Sequence, residues 1–165
     1  MPAPKHKSGH AAVSKQLFTI GYEGLDSERL GSVLRSAGIA TLADVRAVAN
    51  SRKRGFSKGA LSASLQEAGV GYTHLRSLGT PKSGRQAARA GDAALMRRIY
   101  CEDVLDTAGG QAALDELAQM AEAAPICLLC FERDPALCHR RVLAERLATR
   151  GFAVSDLYGL SLIHI

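Results

Sequence analysis

Tryptophan is absent from this 165-residue chain, and aromatic residues make up only 5% of it. That excludes a core built on large rings and leaves Ala, Leu and Val to supply most of the packing. No apolar run approaches the roughly 20 residues a membrane-spanning helix requires, which excludes such a span. The first sixteen residues are basic, but no apolar stretch follows them, so a secretory signal is not expected. Without one, the four cysteines point to a cytoplasmic protein with free thiols. No internal repeat and no linker between two domains is visible. At this length, with 47% apolar residues, one domain with a modest core is expected over residues 16–160. Residues 1–15 read as a disordered basic arm, and residues 161–165 as an apolar tail with no pattern of its own.

The charge is uneven. The net +5 gathers in Lys5–Lys7, Arg52–Arg54, Lys82–Arg89 and Arg140–Arg141. Such clusters attract polyanions through counterion release. Nucleic acid, DNA more than RNA, or a phosphorylated nucleotide is the expected partner. The alternative is a solvated basic face.

Apolar runs alternate with helical patterns. Strands are expected over Leu17–Ile20, Thr41–Val45, Gly71–Leu75, Ile126–Phe131 and Ala153–Leu157. A helix capped by Asp26 or Ser27 ends at Gly38, and one capped by Ser57 ends at Gly69. Helices are also expected from Ala93 to about Asp106, from Gln111 to Ala123, and from Asp134 to about Arg150. The polar stretch Gly79–Gly91 reads as a surface loop. Together these elements predict a single-domain α/β fold. Its mainly parallel sheet has about five strands, with helices on both faces in a Rossmann-like three-layer arrangement. Ligands of such sheets bind beyond the carboxyl ends of the strands. Four exits should converge there: Gly21-Tyr22-Glu23, Asp44 with Arg46, His74 with Arg76, and Glu132.

The richest stretch runs from Cys127 to Arg141. Strand-like Cys127-Leu128-Leu129-Cys130-Phe131 leads to Glu132, and Asp134-Pro135 opens a helix bearing Cys138, His139 and Arg140. C-x-E followed by C-H-R resembles the signature of the domain of unknown function 488 family. The resemblance extends to Thr19-Ile20-Gly21-Tyr22-Glu23-Gly24, Leu42-Ala43-Asp44-Val45-Arg46, Phe56-Ser57-Lys58-Gly59-Ala60-Leu61 and Gly71-Tyr72-Thr73-His74-Leu75. It runs from about Phe18 to about Leu157 and fixes the fold better than the activity. Family members often carry His after the first Gly, where this chain has Tyr22.

Each candidate has two readings. Cys127 and Cys130 are spaced like half a zinc site, but positions three apart on a strand face opposite ways, so no metal is expected. Cys130 and Glu132 share a face. With Cys138 they form a redox or nucleophilic thiol site, or the cysteines simply pack. His139 shares its helical face with Val142 and Leu143, so it is held against the sheet or moves protons. Arg140 is a ligand contact for phosphate or carboxylate. Asp44 and Arg46 form a self-satisfied ion pair, or Asp44 polarises water while Arg46 binds phosphate. Tyr22 stacks on a base or sits in a turn. Phe56 is a wedge or a staple on its helix.

The leading expectation is a metal- and cofactor-independent hydrolase acting at a base or N-glycosidic bond of nucleic acid, similar to a DNA glycosylase in modified-base repair. Its catalytic candidates are Asp44, Glu132, Cys138 and His139. Tyr22, Glu23, Arg46, His74 and Arg140 would bind substrate, and Arg52, Lys53, Arg54, Lys58, Lys82 and Arg85 would hold the nucleic-acid backbone. The alternatives are a cytoplasmic thiol enzyme using Cys138 or Cys130, and a non-catalytic nucleotide-binding module.

Overall fold

In the computed structural model, residues 15–159 are described. The arm expected over residues 1–15 therefore lies outside them except for Lys15, as does the tail over 161–165. Five parallel strands form one sheet: β1 (Lys15–Gly21), β2 (Thr41–Asp44), β3 (Gly71–His74), β4 (Ile126–Cys130) and β5 (Phe152–Leu157), in the order β3-β2-β4-β1-β5. The helices are α1 (Ser27–Ser36), α2 (Lys58–Glu67), α3 (Lys82–Arg89), α4 (Ala93–Tyr100), α5 (Ala108–Ala123) and α6 (His139–Ala148).

The layers follow from connection handedness. From β1 to β2 and on to β3 the chain moves one way across the sheet; from β3 to β4 and on to β5 it moves back. Right-handed crossovers in opposite directions must leave on opposite faces. Accordingly Leu30, Leu34, Leu61 and Leu65 of α1 and α2 bury with Ile20, Leu42, Cys127 and Leu129. On the other face Leu114 and Leu117 of α5, with Val142, Leu143 and Leu147 of α6, bury with Leu17, Ala43, Ile126 and Leu128. The three-layer α/β fold is thus as the alternating pattern implies. β4 lies between two strands whose helices leave on the other face, and a crevice opens where connections part in this way.

Local signals explain most boundaries. Asp26 caps α1 by accepting from the Arg29 amide at 2.7 Å. Gly38 and Gly69, at φ 73° and 77°, follow α1 and α2 in a left-handed conformation that costs glycine little. Three expectations need correction. The stretch expected to be a loop contains α3, whose inward face is Gly84 and Ala87. Small residues let it approach α4 closely without the large apolar stripe that marks a packed helix. The helix expected from Asp134 is divided: Asp134 caps only a 3-10 turn, Pro135–Leu137. Cys138 then turns extended, at φ −130° and ψ 146°, and becomes the N-cap of α6. Ser57 precedes α2 as expected, but its hydroxyl binds Asn50 and Ser51 instead of capping.

A sulfur–imidazole cluster as the candidate functional site

The exits of β1, β2 and β4 are joined by backbone bonds beyond the strands. The Tyr22 amide donates to the Cys130 carbonyl at 3.1 Å, Glu23 to Phe131 at 2.8 Å, and Val45 to Leu129 at 3.3 Å. Gly21 permits this approach, since a Cβ there would stand 1.8 Å from the Glu132 carbonyl oxygen. Asp44 and Glu132 consequently leave the sheet at one end, as a single site requires.

At that edge the sulfurs of Cys130 and Cys138 are bonded, with Cα atoms 7.2 Å apart. This corrects the expectation of four free thiols; Cys101 and Cys127 alone are free among the described residues. His139 Nδ1 lies 3.8 Å from Cys130 Sγ and 3.7 Å from Cys138 Sγ. Its Nε2 lies 2.8 Å from the Val45 carbonyl oxygen. A carbonyl only accepts, so Nε2 carries the proton and the Nδ1 lone pair faces both sulfurs. Tyr100 meets the imidazole edge-on at 5.1 Å. Burial holds His139 down to about 4, so its ring is neutral at pH 7. Glu132 Oε2 is 3.0 Å from Cys130 Sγ. Burial raises that carboxyl above its ordinary range.

Asp44 and Arg46 form a closed structural unit. Asp44 Oδ1 accepts from Arg46 N at 3.1 Å and Nε at 2.8 Å; Oδ2 accepts from Arg46 Nη2 at 2.7 Å and the Tyr72 hydroxyl at 2.5 Å. Arg46 Nη1 donates to the Phe56 carbonyl at 2.7 Å and the Tyr22 hydroxyl at 3.3 Å. Asp44 is 0% exposed and Arg46 7%. Burial alone would lower the Arg46 guanidinium, but the Asp44 carboxylate more than reverses this. Burial and the same carboxylate raise the Tyr72 hydroxyl. Four donors on one buried carboxylate leave it no free position for an attacking water. The rings of Tyr22 and Phe56 stack at 4.5 Å, and both are buried, so Phe56 is core rather than a wedge.

Arg140 is buried too. It donates to Thr19 Oγ1 at 3.4 Å, to the Glu132 carbonyl, and to the Arg133 carbonyl at 3.2 Å. It holds the loop that presents Glu132 instead of reaching for a ligand. His74 Nε2 donates to the Arg46 carbonyl at 2.7 Å. Arg52, Arg54, Lys58 and Lys82 are exposed. Lys53 donates to the Tyr22 carbonyl at 3.2 Å and Arg85 to the Thr80 carbonyl at 2.8 Å.

Residues 26–147, well over half of the chain, match the family model described as domain of unknown function DUF488. This chain belongs to the DUF488 family. No curated protein and no solved structure matches it. The match takes in Asp44, Cys130, Glu132, Cys138 and His139, while Tyr22 and Glu23 precede it.

Two hollows open in this DUF488 protein, one of them beside the cluster. One, of about 340 Å³, lies between α4 and α6, with Cys138 in its wall beside Met96, Arg97, Ala136 and Arg141. The other, of about 140 Å³, is lined by Gly21, Glu23, Leu25, Arg133 and Tyr158. Of the two bonded cysteines, Cys138 lines a hollow, and both are buried. Cys127 packs in the core beneath α1 and α2, away from the pair. Sequence reasoning passed over Tyr72, Tyr100 and the Val45 carbonyl. Tyr72 stands two residues before His74, on the strand paired with Asp44, and that register was the available signal. Nothing in the sequence marks a main-chain oxygen. No helix among the described residues is long and apolar enough to cross a membrane.

Proposed function

We propose that this protein is a cytoplasmic thiol enzyme of the thiol–disulfide exchange class, with Cys138 as the attacking sulfur, Cys130 as its internal partner and His139 as the proton carrier. The observation that carries this reading is the convergence of both sulfurs on the His139 Nδ1 lone pair, within 3.8 Å. In the reduced protein the Cys138 thiolate attacks a substrate disulfide. One substrate sulfur joins Cys138 and the other leaves as a thiolate, which takes the proton His139 has received. Cys130 then attacks Cys138, forms the internal bond and releases the second substrate thiol. Two electrons and two protons pass to the substrate.

Local electrostatics favour the attack. The Arg140 amide donates to Cys138 Sγ at 3.5 Å from the first turn of α6, which supports a thiolate. A negative sulfur 3.7 Å from Nδ1 also draws the imidazole upward from its low value in the bonded pair. The test is trapping. Reduced Cys130→Ser protein mixed with oxidised glutathione should accumulate a mixed disulfide on Cys138, read by intact mass and peptide mapping. A folded variant that stays unmodified counts against the reading.

A second reading keeps nucleic acid as substrate, with Glu132 as general acid for N-glycosidic hydrolysis. It is favoured by the burial that raises the Glu132 carboxyl above its ordinary range, and by Lys53, which holds the basic loop against the β1 exit. Oligonucleotides bearing modified bases, incubated and then cleaved with alkali at abasic sites, test it. Cleavage by wild type that Glu132→Gln abolishes would favour hydrolysis; no cleavage across the panel removes it.

A further inference from the structure

Cys130 Sγ, Cys138 Sγ and His139 Nδ1 all lie within 4.8 Å of one another and are buried. We propose that, when the Cys130–Cys138 bond is reduced, these three atoms bind one Zn²⁺-class ion, with the Glu132 carboxylate as fourth ligand. The proposal rests on the reading of Cys130 and Cys138 as a reducible pair and adds what governs its reactivity.

The geometry suits a tetrahedron. Ideal Zn–S and Zn–N bonds of roughly 2.3 and 2.05 Å put ligand sulfur and nitrogen about 3.5–3.6 Å apart. The observed separations from Nδ1 are 3.8 and 3.7 Å. The sulfurs must part, to about 3.8 Å at tetrahedral angles. Their Cα atoms stand 7.2 Å apart, which leaves room for that opening. Glu132 Oε2 stands 3.0 Å from Cys130 Sγ, and its carboxylate must swing toward Cys138 and His139 to serve as the fourth donor.

The surroundings are those of a held ligand set. His139 donates its other ring nitrogen to Val45, which fixes the tautomer that offers Nδ1 and orients the ring. Arg140 donates to the carbonyls of Glu132 and Arg133 and so fixes the carboxylate loop. Its charge also offsets the excess negative charge of two thiolates and a carboxylate around a dication. Two thiolates with imidazole favour zinc over magnesium or calcium, which prefer oxygen ligands.

The ion and the disulfide exclude each other. Binding releases two thiol protons. Oxidation by an external disulfide, with uptake of two protons, forms the Cys130–Cys138 bond, frees the ion and yields two thiols. A loaded site would therefore slow thiol exchange until the ion departs.

The experiment uses the full chain, reduced with a phosphine under anaerobic conditions and freed of reductant, then titrated with Co²⁺ and with Zn²⁺. One equivalent of Co²⁺ should give thiolate-to-cobalt charge-transfer absorption and the intense visible bands of a tetrahedral site. Zn²⁺ should erase both. The oxidised wild type, which needs no substitution, should give neither. Cys138→Ser and His139→Gln should weaken binding by at least about 100-fold, and Cys127→Ser should not. Folding of each variant is followed by circular dichroism. No charge-transfer band in folded, reduced wild type overturns the proposal, as does a band that survives in oxidised protein. Mixed-disulfide trapping without cobalt binding would sink the ion site alone; cobalt binding without trapping would sink the exchange reading alone.

Discussion

His139 and His74 hold consecutive carbonyls of one short segment: His139 Nε2 meets Val45 O at 2.8 Å, and His74 Nε2 meets Arg46 O at 2.7 Å. The β2 exit is thereby tied to α6 on one side and to β3 on the other. A segment without regular structure is fixed by two ring N–H donors, and the imidazole facing the sulfurs cannot rotate without losing its carbonyl.

That arrangement sets a pH dependence. The His139 pKa falls from 6.5 in the unfolded chain to about 4 in the folded one, so the unfolded state binds the extra proton between those values. Stability is full above pH 6.5 and falls as pH drops toward 4, by about 3 kcal/mol for this group. Urea midpoints of the oxidised protein at pH 7 and pH 4.5 should show the fall. His139→Gln, which keeps a donor toward Val45, should show a smaller one; an equal fall in both proteins assigns it elsewhere.

Asp44→Asn should act on stability first. It leaves the Arg46 guanidinium buried without its counter-charge, at a cost of about 3–5 kcal/mol by the usual effect of halving a buried pair. Chemical denaturation measures this. A variant as stable as wild type but inactive would return Asp44 to the list of reacting groups.

Gly21→Ala drives a methyl group into the Glu132 carbonyl, 1.8 Å from the ideal Cβ position. The β1–β4 exit must open, at a cost of about 1–3 kcal/mol. Mixed-disulfide formation should slow as well, because Glu132 and Cys130 share that turn. Unchanged denaturation and trapping rates would show that the turn yields freely.

Arg52 and Arg54 are exposed, so replacing both with Ala should alter stability by no more than about 0.5 kcal/mol. If DNA binds this edge, affinity should drop alike for every sequence and the salt dependence should flatten. Fluorescence anisotropy across a salt series reads both. A slope identical to that of wild type removes the loop from any interface.

The layering was legible because it depends on period and punctuation, which Leu30-x-x-Val33-Leu34 and the glycines after α1 and α2 display openly. α3 was not, since Gly84 and Ala87 make a packing face without large side chains. Glu132 beside Cys130 followed from strand alternation. Pairing of Cys130 with Cys138 did not, because it depends on how the 3-10 turn folds the intervening loop back. The Asp44–Arg46 pair was visible as an alternative, but only the third dimension brings Tyr72 and the Phe56 carbonyl to complete it.

The strand order has a consequence for how the chain acquires its shape. β1 and β2 are separated in the sheet by β4, which is made only after residue 125. A nascent chain ending before Ile126 can pair β2 with β3, but leaves β1 without either of its neighbours. Closing the sheet thus waits for contacts between distant parts of the sequence, the kind that fold slowly and follow synthesis rather than accompany it. Cys130 arrives on the very strand that fills the gap, and Cys138 just behind it. The two sulfurs meet only once the middle of the sheet exists, so the pair cannot be assembled by a chain that stops before β4.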